Sequence, residues 1–170
     1  LPALLRQSWS GQQPIGEAWL ISDLPGNPSV VSNGHWRGAT LRELLQREVD
    51  GILGQQQQQW RKSGQFPLLL KFIDAQRELS VQVHPDDEQA ARLGAGPCGK
   101  TEAWVVLDRH PKRSRIYAGL HSQVTEASFR QALQQGRVAE TLHDFVPQVG
   151  DCLFLPAGTV HALGAELLIF

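Results

Sequence analysis

The sequence predicts a mainly β protein, either a closed antiparallel barrel or a jelly roll, with a few decorating α-helices. From residue 67 onward, short β-rich runs are separated by Gly, Pro and Asp residues. Most connections between these runs are too short for the crossovers that a parallel sheet requires. The predicted strands lie in PLLLKFIDA, LSVQVHPDD, AWVVLD, SRIYAGL, DCLFLPAG, TVHALG and ELLIF. Helices are predicted in DDEQAARLG and TEASFRQALQQG, because each segment ends at a glycine that can close a helix in the left-handed conformation.

Residues 1–66 are predicted to form a mixed strand and helix elaboration that packs on the barrel, which residues 67–170 build. Short strands are expected in IGEAWLISD and SVVSNG, on either side of the turn-rich LPGNPS. Thr40 and Glu43 form a capping-box pattern ahead of LRELLQREVDGILG, where apolar residues recur near helical spacing. This pattern predicts one amphipathic helix. The glutamine tract at 55–59 is predicted to be a solvent-facing helix end or loop.

Composition and charge limit the classes of partner. The chain has 170 residues, 41% of them hydrophobic, which suffices for one buried core. Its formal net charge is −1, and no segment gathers Lys and Arg into a basic stripe, so no nucleic-acid partner is expected. No apolar run approaches the roughly 20 residues of a membrane span, and the first residues lack the layout of a secretory signal. We therefore expect a cytoplasmic protein without a membrane partner.

Polar residues share one face of a predicted strand. In LSVQVHPDD the strand period of two places Ser80, Gln82 and His84 on the same face. That face could simply meet water, as one face of many antiparallel sheets does. However, Glu102 and His161 also lie in or beside β-runs. One amide, one carboxylate and two imidazoles make a plausible set of ligands for a divalent transition metal.

The spacing between Gly150 and His161 is more specific. Five residues separate Gly150 from Pro156, one separates Pro156 from Gly158, and two separate Gly158 from His161. This pattern is similar to the second sequence motif of the cupin superfamily. Pro156 and Gly158 can bend the chain so that the next strand directs His161 into the barrel.

Three longer motifs resemble class I mannose-6-phosphate isomerases (phosphomannose isomerases), particularly the short bacterial form. They occur in the family's order and are LLLKFIDAQRELSVQVHPDDEQA, GKTEAWVVLD and GDCLFLPAGTVHALG. The resemblance extends from about IGEAWLISD to the last residue, and it implies a cupin jelly-roll barrel. It also implies one zinc ion per chain. The ligands implied are Gln82, His84, Glu102 and His161.

The implied reaction interconverts mannose 6-phosphate and fructose 6-phosphate through an enediol, with zinc acting as a Lewis acid. The resemblance places Lys100 beside the substrate, where it is a candidate for proton transfer or for a hydrogen bond to a sugar oxygen. Ser80 lies on the ligand face and could contact the substrate or its phosphate. Asp86 and Asp87 are expected to cap the following helix rather than bind metal.

Two departures from the family pattern leave alternatives open. Long-form members carry a histidine, a candidate general base, where this chain has Gly99, so the general base is unassigned. The family also continues past a segment like GAELLIF to a downstream arginine, whereas this chain stops at Phe170. We therefore expect a truncated chain with a complete zinc site and an incomplete catalytic site. The alternatives are a non-catalytic cupin that binds sugar phosphates and another metal-dependent cupin enzyme, such as an oxygenase.

A homodimer is also an open prediction. A barrel that ends at its last predicted strand, ELLIF, would leave an unpaired strand edge. A second copy of the chain could cover that edge.

Overall fold

The computed structural model describes residues 15–55, 58–96 and 98–170. They divide into two compact units, one of Glu17–Phe72 and one formed mainly by Ile73–Phe170. The predicted packing of residues 1–66 on the barrel stays a prediction. None of the helices within the described ranges has the length and apolar character of a membrane span.

Within the described residues, the first unit contains one strand of its own and three short helices. Strand β1 (Glu17–Ile21) confirms the strand predicted in IGEAWLISD. The strand predicted in SVVSNG is wrong, because the described backbone there makes one isolated bridge, between Val30 and Thr40. The helices are α1 (Leu41–Arg47), α2 (Val49–Leu53) and α3 (Gln58–Ser63).

The capping box at the start of α1 is confirmed. The backbone N–H of Thr40 donates to Glu43 Oε2 at 2.7 Å, and the backbone N–H of Glu43 donates to Thr40 Oγ1 at 3.2 Å. The single long helix predicted after it is wrong, because the helix breaks at Glu48, where φ is −126° and ψ is 40°. The VDG sequence that follows has low helix propensity, which the apolar spacing does not reveal. Residues 56 and 57 of the glutamine tract lie outside the described residues.

The second unit is built from antiparallel strands, which confirms the mainly β prediction. In one sheet the strands of this unit follow the order β2-β8-β3-β6, and in the other the order is β5-β4-β7. Within the described residues, strand hydrogen bonds do not close these cupin-like sheets into one continuous barrel. The strands are β2 (Leu70–Ala75, which begins in the first unit), β3 (Glu102–Arg109), β4 (Ile116–Leu120), β5 (Leu142–Phe145), β6 (Cys152–Leu155), β7 (His161–Leu163) and β8 (Leu167–Ile169).

The core of this unit draws on strands of both sheets, so burying apolar side chains holds the two sheets together. The buried apolar residues of the core cluster are Ala75, Trp104, Val106, Ile116, Leu155, Leu163, Leu167 and Ile169.

Both helices predicted in this part of the chain are confirmed. Helix α4 (Asp87–Leu93) has Asp86 as its N-cap and is closed by Gly94 at φ 63°. Helix α5 (Glu126–Gln134) stops slightly before the predicted end, and the glycine that follows, Gly136, has φ 68°. These helices therefore begin and end where the capping chemistry of the sequence indicates.

The strand predicted in LSVQVHPDD is wrong as a regular strand. Its backbone makes an isolated bridge from Gln82 to His161, and the N–H of Leu79 donates to the carbonyl of Leu163 at 2.8 Å. The alternating apolar residues of this segment are exposed, by 37% at Val81 and 57% at Val83. The segment is thus extended but only loosely paired. The sequence signal also missed β5, whose LHDF includes the polar pair His143 and Asp144.

The predicted free edge at the last strand is wrong. Strand β8 lies between β2 and β3, and Ile169 faces Ile73 on one side and Val106 on the other. The order of strands along the chain does not fix their order in a sheet, so the sequence could not place β8 at the centre. Because β8 is paired on both sides, it leaves no free edge for a second copy to cover, and the homodimer stays a prediction.

Candidate metal centre

Three side chains of the second unit that can bind metal converge on one point. Glu102 is the first residue of β3, where it pairs with Leu155 of β6. His161 is the first residue of β7, and His84 lies in the loop before α4. Their ligand atoms all lie within 4.8 Å of one another. The fold thus brings together residues that are far apart in the sequence.

The two imidazoles meet the same carboxylate oxygen. Glu102 Oε2 lies 3.0 Å from His161 Nε2 and 3.3 Å from His84 Nε2. Two ligand atoms that each lie about 2.1 Å from one ion, at tetrahedral or slightly smaller angles, are about 3.0 to 3.4 Å apart. The spacing and the nitrogen and oxygen donors therefore fit a divalent transition metal ion.

His161 is held in the orientation that a metal ligand needs. Its Nδ1 donates a hydrogen bond to the carbonyl of Thr159 at 2.8 Å, because a carbonyl can only accept. Nδ1 therefore carries a proton, and Nε2 is left to face Glu102. The edge-on ring of Trp104, with a centroid 5.4 Å away, packs against the imidazole. A ring nitrogen fixed by a backbone carbonyl is typical of histidines that bind metal through the other nitrogen.

Lys100 joins the group from the loop before β3. Its ammonium lies 2.9 Å from Glu102 Oε1 and 3.1 Å from His84 Nε2. Because an ammonium can only donate, Nε2 of His84 is unprotonated and accepts this bond with its one lone pair. Burial and the nearby charge of Lys100 lower the pKa of His84, which keeps its ring neutral.

The other two titratable groups are coupled to each other. Burial raises the pKa of Glu102, but hydrogen bonds from His161 and Lys100 lower it by a larger amount, so the pKa is about 2. The hydrogen bond to Glu102 raises the pKa of His161, although burial opposes this change. In the chain without metal, the carboxylate of Glu102 therefore favours the protonated form of His161. A metal ion can replace that proton at the same place.

Gln82 and Ser80 lie on the segment that faces β7. The backbone N–H of Gln82 donates to the carbonyl of His161 at 2.8 Å, and the bond in the other direction measures 2.9 Å. The amide nitrogen of the Gln82 side chain donates to Ser80 Oγ at 3.4 Å. The structure thus places Gln82 next to a histidine of the metal group and Ser80 next to Gln82. Their predicted roles toward metal and substrate stay predictions.

The turn between β6 and β7 links the segments of the site. The N–H of Gly158 donates to the carbonyl of His84 at 2.7 Å, and the N–H of Ala157 donates to Thr101 Oγ1 at 3.2 Å. Gly158 has φ 85°, a conformation that glycine adopts without strain. This one turn therefore fixes His84 and the start of β3 relative to His161.

Comparison with known proteins identifies the family. The model of the phosphomannose isomerase type I catalytic domain matches residues 5–119, a stretch that includes Gln82, His84, Lys100 and Glu102. The chain belongs to the type I phosphomannose isomerase family. This finding confirms the resemblance inferred from the sequence motifs.

Individual relatives agree with this assignment. Mannose-6-phosphate isomerase ManA of Bacillus subtilis is 37% identical over 158 residues, which cover 92% of this chain and 47% of that protein. The mannose-6-phosphate isomerase of Streptococcus mutans is 37% identical over 159 residues, with the same two coverages. The chain therefore spans about half the length of the curated relatives it matches.

A solved structure extends the similarity to the fold. The crystal structure of mannose 6-phosphate isomerase from Bacillus subtilis matches with a TM-score of 0.79 at 32% identity. The match covers 91% of this chain and 46% of that chain.

Sequence reasoning missed three residues that hold the site together. They are Thr101, whose hydroxyl accepts from the turn, Thr159, whose carbonyl fixes His161, and Trp104, which packs on His161. Trp104 could have been found, because the strand period places it on the same face as Glu102. The role of Thr159 could not be predicted from the sequence, because the group involved is a backbone carbonyl and every residue has a backbone carbonyl.

Gly99 stands where long-form members of the family have a histidine. A Cβ at this position would lie 2.5 Å from the carbonyl oxygen of Pro85 and 2.5 Å from the carbonyl carbon of Asp86. No real Cβ comes so close to backbone atoms, so this loop accepts only glycine as it stands. A histidine here would require a different path for the loop, and the general base stays unassigned.

Proposed function

We propose that this chain is part of a zinc-dependent aldose–ketose isomerase that interconverts mannose 6-phosphate and fructose 6-phosphate. One zinc ion would be held by Gln82, His84, Glu102 and His161. The support is the family and the geometry together. Two relatives named as mannose-6-phosphate isomerases are each 37% identical to the chain across 92% of its length.

The observation that carries the proposal is the convergence of two imidazole nitrogens on one oxygen of Glu102, at 3.0 and 3.3 Å. The side chains of His84, Glu102 and His161 are only 18%, 16% and 5% exposed. Three such groups close together and largely out of water form a preformed set of donors, and a bound cation would help to offset their lost hydration. A metal site explains this cost better than a structural role does.

The charge of the ligand set suits an anionic reaction intermediate. Gln82 and the two histidines would be neutral ligands, and Glu102 would supply the single negative charge. With a dication the site would keep one net positive charge, which attracts negative charge developing on a sugar. Zinc bound there would act as a Lewis acid toward the oxygens on C1 and C2 of the sugar.

Lys100 is the residue proposed to contact the reacting sugar. Its ammonium has three N–H donors, and its contact to Glu102 Oε1 uses one of them. A second now bonds His84 Nε2, a contact that zinc at this nitrogen would replace. The third donor is available for a sugar oxygen. Lys100 can therefore orient the substrate or exchange a proton with it. Ser80, beside Gln82, is proposed as a further contact to the substrate or its phosphate.

The proposed substrate also suggests where the protein works. A sugar phosphate carries about 1.5 to 2 negative charges at neutral pH. An anion of this kind does not cross a bilayer unaided, so we propose the cytoplasm, where sugar phosphates are made and used.

The test is a coupled assay for fructose 6-phosphate formed from mannose 6-phosphate, using the chain loaded with one equivalent of zinc. We expect turnover that a chelator abolishes and added zinc restores. His161→Ala should abolish both zinc retention and turnover. The matched control is His143→Ala, because His143 is an exposed histidine of β5 and its loss should change neither.

Each other outcome contradicts a defined part of the proposal. Stoichiometric zinc without turnover would contradict the isomerase activity of this chain and favour a sugar-phosphate-binding cupin. Bound iron with oxygen consumption would favour another metal-dependent cupin enzyme. Failure to bind any divalent ion would contradict the metal site itself.

A further inference from the structure

The geometry points to Asp87 as a positioning residue for Lys100. This inference rests on the proposed isomerase function, in which Lys100 contacts the substrate. Asp87 would act through the backbone of the loop that carries Lys100, with no contact to the sugar.

Helix capping does not require the Asp87 carboxylate. Asp86 is the N-cap of α4, and its Oδ1 accepts from the N–H of Gln89 at 2.7 Å. The side chain of Gln89 accepts from the N–H of Asp86 at 3.3 Å and completes the capping box. Asp87 is the next residue, in the first turn of the helix. The sequence prediction that both aspartates cap the helix therefore describes Asp86 well and Asp87 incompletely.

The Asp87 carboxylate instead reaches the loop before β3. Its Oδ1 accepts a hydrogen bond from the backbone N–H of Gly99 at 2.7 Å. The next N–H along the chain, that of Lys100, donates to the carbonyl of Pro85 at 3.0 Å. Two consecutive amides are thus bound to the segment that begins α4. The close approach of Gly99 to Pro85 and Asp86, described above, is part of the same contact.

These bonds matter because of the character of the Lys100 side chain. It is 47% exposed, and its long flexible stem has many conformations available. The ammonium can reach Glu102, beside the metal ligands, only if the backbone holds the residue at the right place. Small displacements of a group that contacts substrate cost large factors in rate. Within the described residues, Asp87 is the charged side chain that binds the backbone of this loop.

The test compares Asp87→Ala with Glu88→Ala and Asp87→Asn in the zinc-loaded chain. Glu88 is the adjacent exposed acid in the same helix turn, so its removal controls for the interaction of an acid with the helix N-terminus. We expect Asp87→Ala to lower kcat by about tenfold or more with zinc content unchanged. Asp87→Asn keeps an oxygen that can accept from Gly99 and should recover most of the loss.

A double variant separates positioning from general damage. If Asp87 acts through Lys100, then Asp87→Ala should cause no further loss of kcat in a Lys100→Ala background. Independent and multiplicative losses would overturn the inference, and so would an equal loss in Glu88→Ala.

Two measurements on the same variants do not depend on turnover. Amide hydrogen exchange at Gly99 should accelerate by about tenfold or more in Asp87→Ala and stay unchanged in Glu88→Ala. The NMR resonances of the Lys100 side chain should move toward values of a free lysine in the first variant alone. Unchanged exchange and resonances would overturn the inference. If both change while the unsubstituted chain shows no turnover, the positioning is supported and the proposed isomerase activity fails.

Discussion

The two chain segments that meet at the candidate metal centre differ in how the protein supports them. In β7 the residues His161, Ala162 and Leu163 are all buried, and the strand pairs with β4 along its length. In the segment before α4, residues 78–83 are all exposed, and a bridge at Gln82 and one hydrogen bond from Leu79 attach them to β7. The metal site therefore has two walls that differ in burial. One is the buried strand β7, and the other is the exposed segment 78–83.

This difference implies unequal local stability. A segment with few buried contacts and few backbone hydrogen bonds opens at lower free energy than a core strand. The Nε2 atom of His161 should thus be in place before metal arrives. His84 and Gln82 would be held partly by the turn at Gly158, which binds the carbonyl of His84, and partly by the ion itself. Substitutions on the two walls should therefore differ in their effects on zinc binding and on stability.

The largest effect is expected at the rigid wall. His161→Ala should weaken zinc binding by about a thousandfold or more, because even loss of an outer partner of a metal ligand costs about 10- to 100-fold. Competition with a zinc-sensitive chelator dye measures it. A change below tenfold would mean that His161 is not a metal ligand.

A pair of apolar substitutions compares the two walls without metal. Leu163→Ala, at a residue of β7 that is 3% exposed in the core cluster, should lower the free energy of unfolding by about 2 to 5 kcal/mol. Val81→Ala, at a residue 37% exposed, should change it by less than about 0.5 kcal/mol. Urea denaturation of the metal-free chain measures both. Equal losses would contradict the proposed difference in support.

The charge of Glu102 should couple stability to pH in the metal-free chain. Its pKa falls from 4.5 to about 2 on folding, so the ionised carboxylate stabilises the folded state at pH above about 4.5. The contribution is on the order of 3 kcal/mol. It is lost as the pH falls from about 4.5 through about 2.

Glu102→Gln should therefore be less stable than the unsubstituted chain at pH 6, and its stability should fall less between pH 5 and pH 2. Thermal unfolding at a series of pH values measures the change, with the exposed Glu88→Gln as the control. A parallel decline in all three proteins would show that Glu102 does not carry this coupling.

The smallest effect on metal binding is expected at the loosely supported wall. Gln82→Ala should weaken zinc binding by about tenfold, since a neutral amide on an exposed segment is a weak ligand. The two hydrogen bonds between the backbones of Gln82 and His161 do not involve the Gln82 side chain, so the fold should persist. A loss as large as that of His161→Ala would show the two walls to be equivalent.

The sequence predicted the strands with clear apolar runs, the helices closed by glycine, and the three residues that converge at the site. These features depend on local chemistry or on motifs, which a sequence displays. It did not predict the break at Glu48, because apolar spacing continues across one non-helical residue. The segment at 79–83 was predicted as a regular strand. The alternation of polar and apolar residues shows which side chains share a face, but it does not show how many neighbouring strands pair with the segment.

The residues around the site were predicted less well than the ligand-type residues themselves. The bond from Asp87 to Gly99 and the contact of Trp104 with His161 depend on how distant segments meet. A single sequence states which side chains are present, and tertiary packing decides which of them they touch. Gly99 shows the limit clearly, since its need for glycine arises from the backbone of Pro85 and Asp86, more than ten residues earlier.

The position of β8 has a consequence for how the protein folds during synthesis. Its backbone pairs with β2 on one side and β3 on the other, and Phe170 exchanges two hydrogen bonds with Val105 at 2.8 and 2.9 Å. The strand at the middle of the sheet is thus made after both of its neighbours. Until the ribosome has released residues 167–170, β2 and β3 each lack a partner along one edge, and unpaired edges invite aggregation. The pairing of β2 with β3 through β8 is therefore complete only when residues 167–170 enter the gap between two strands that were made earlier.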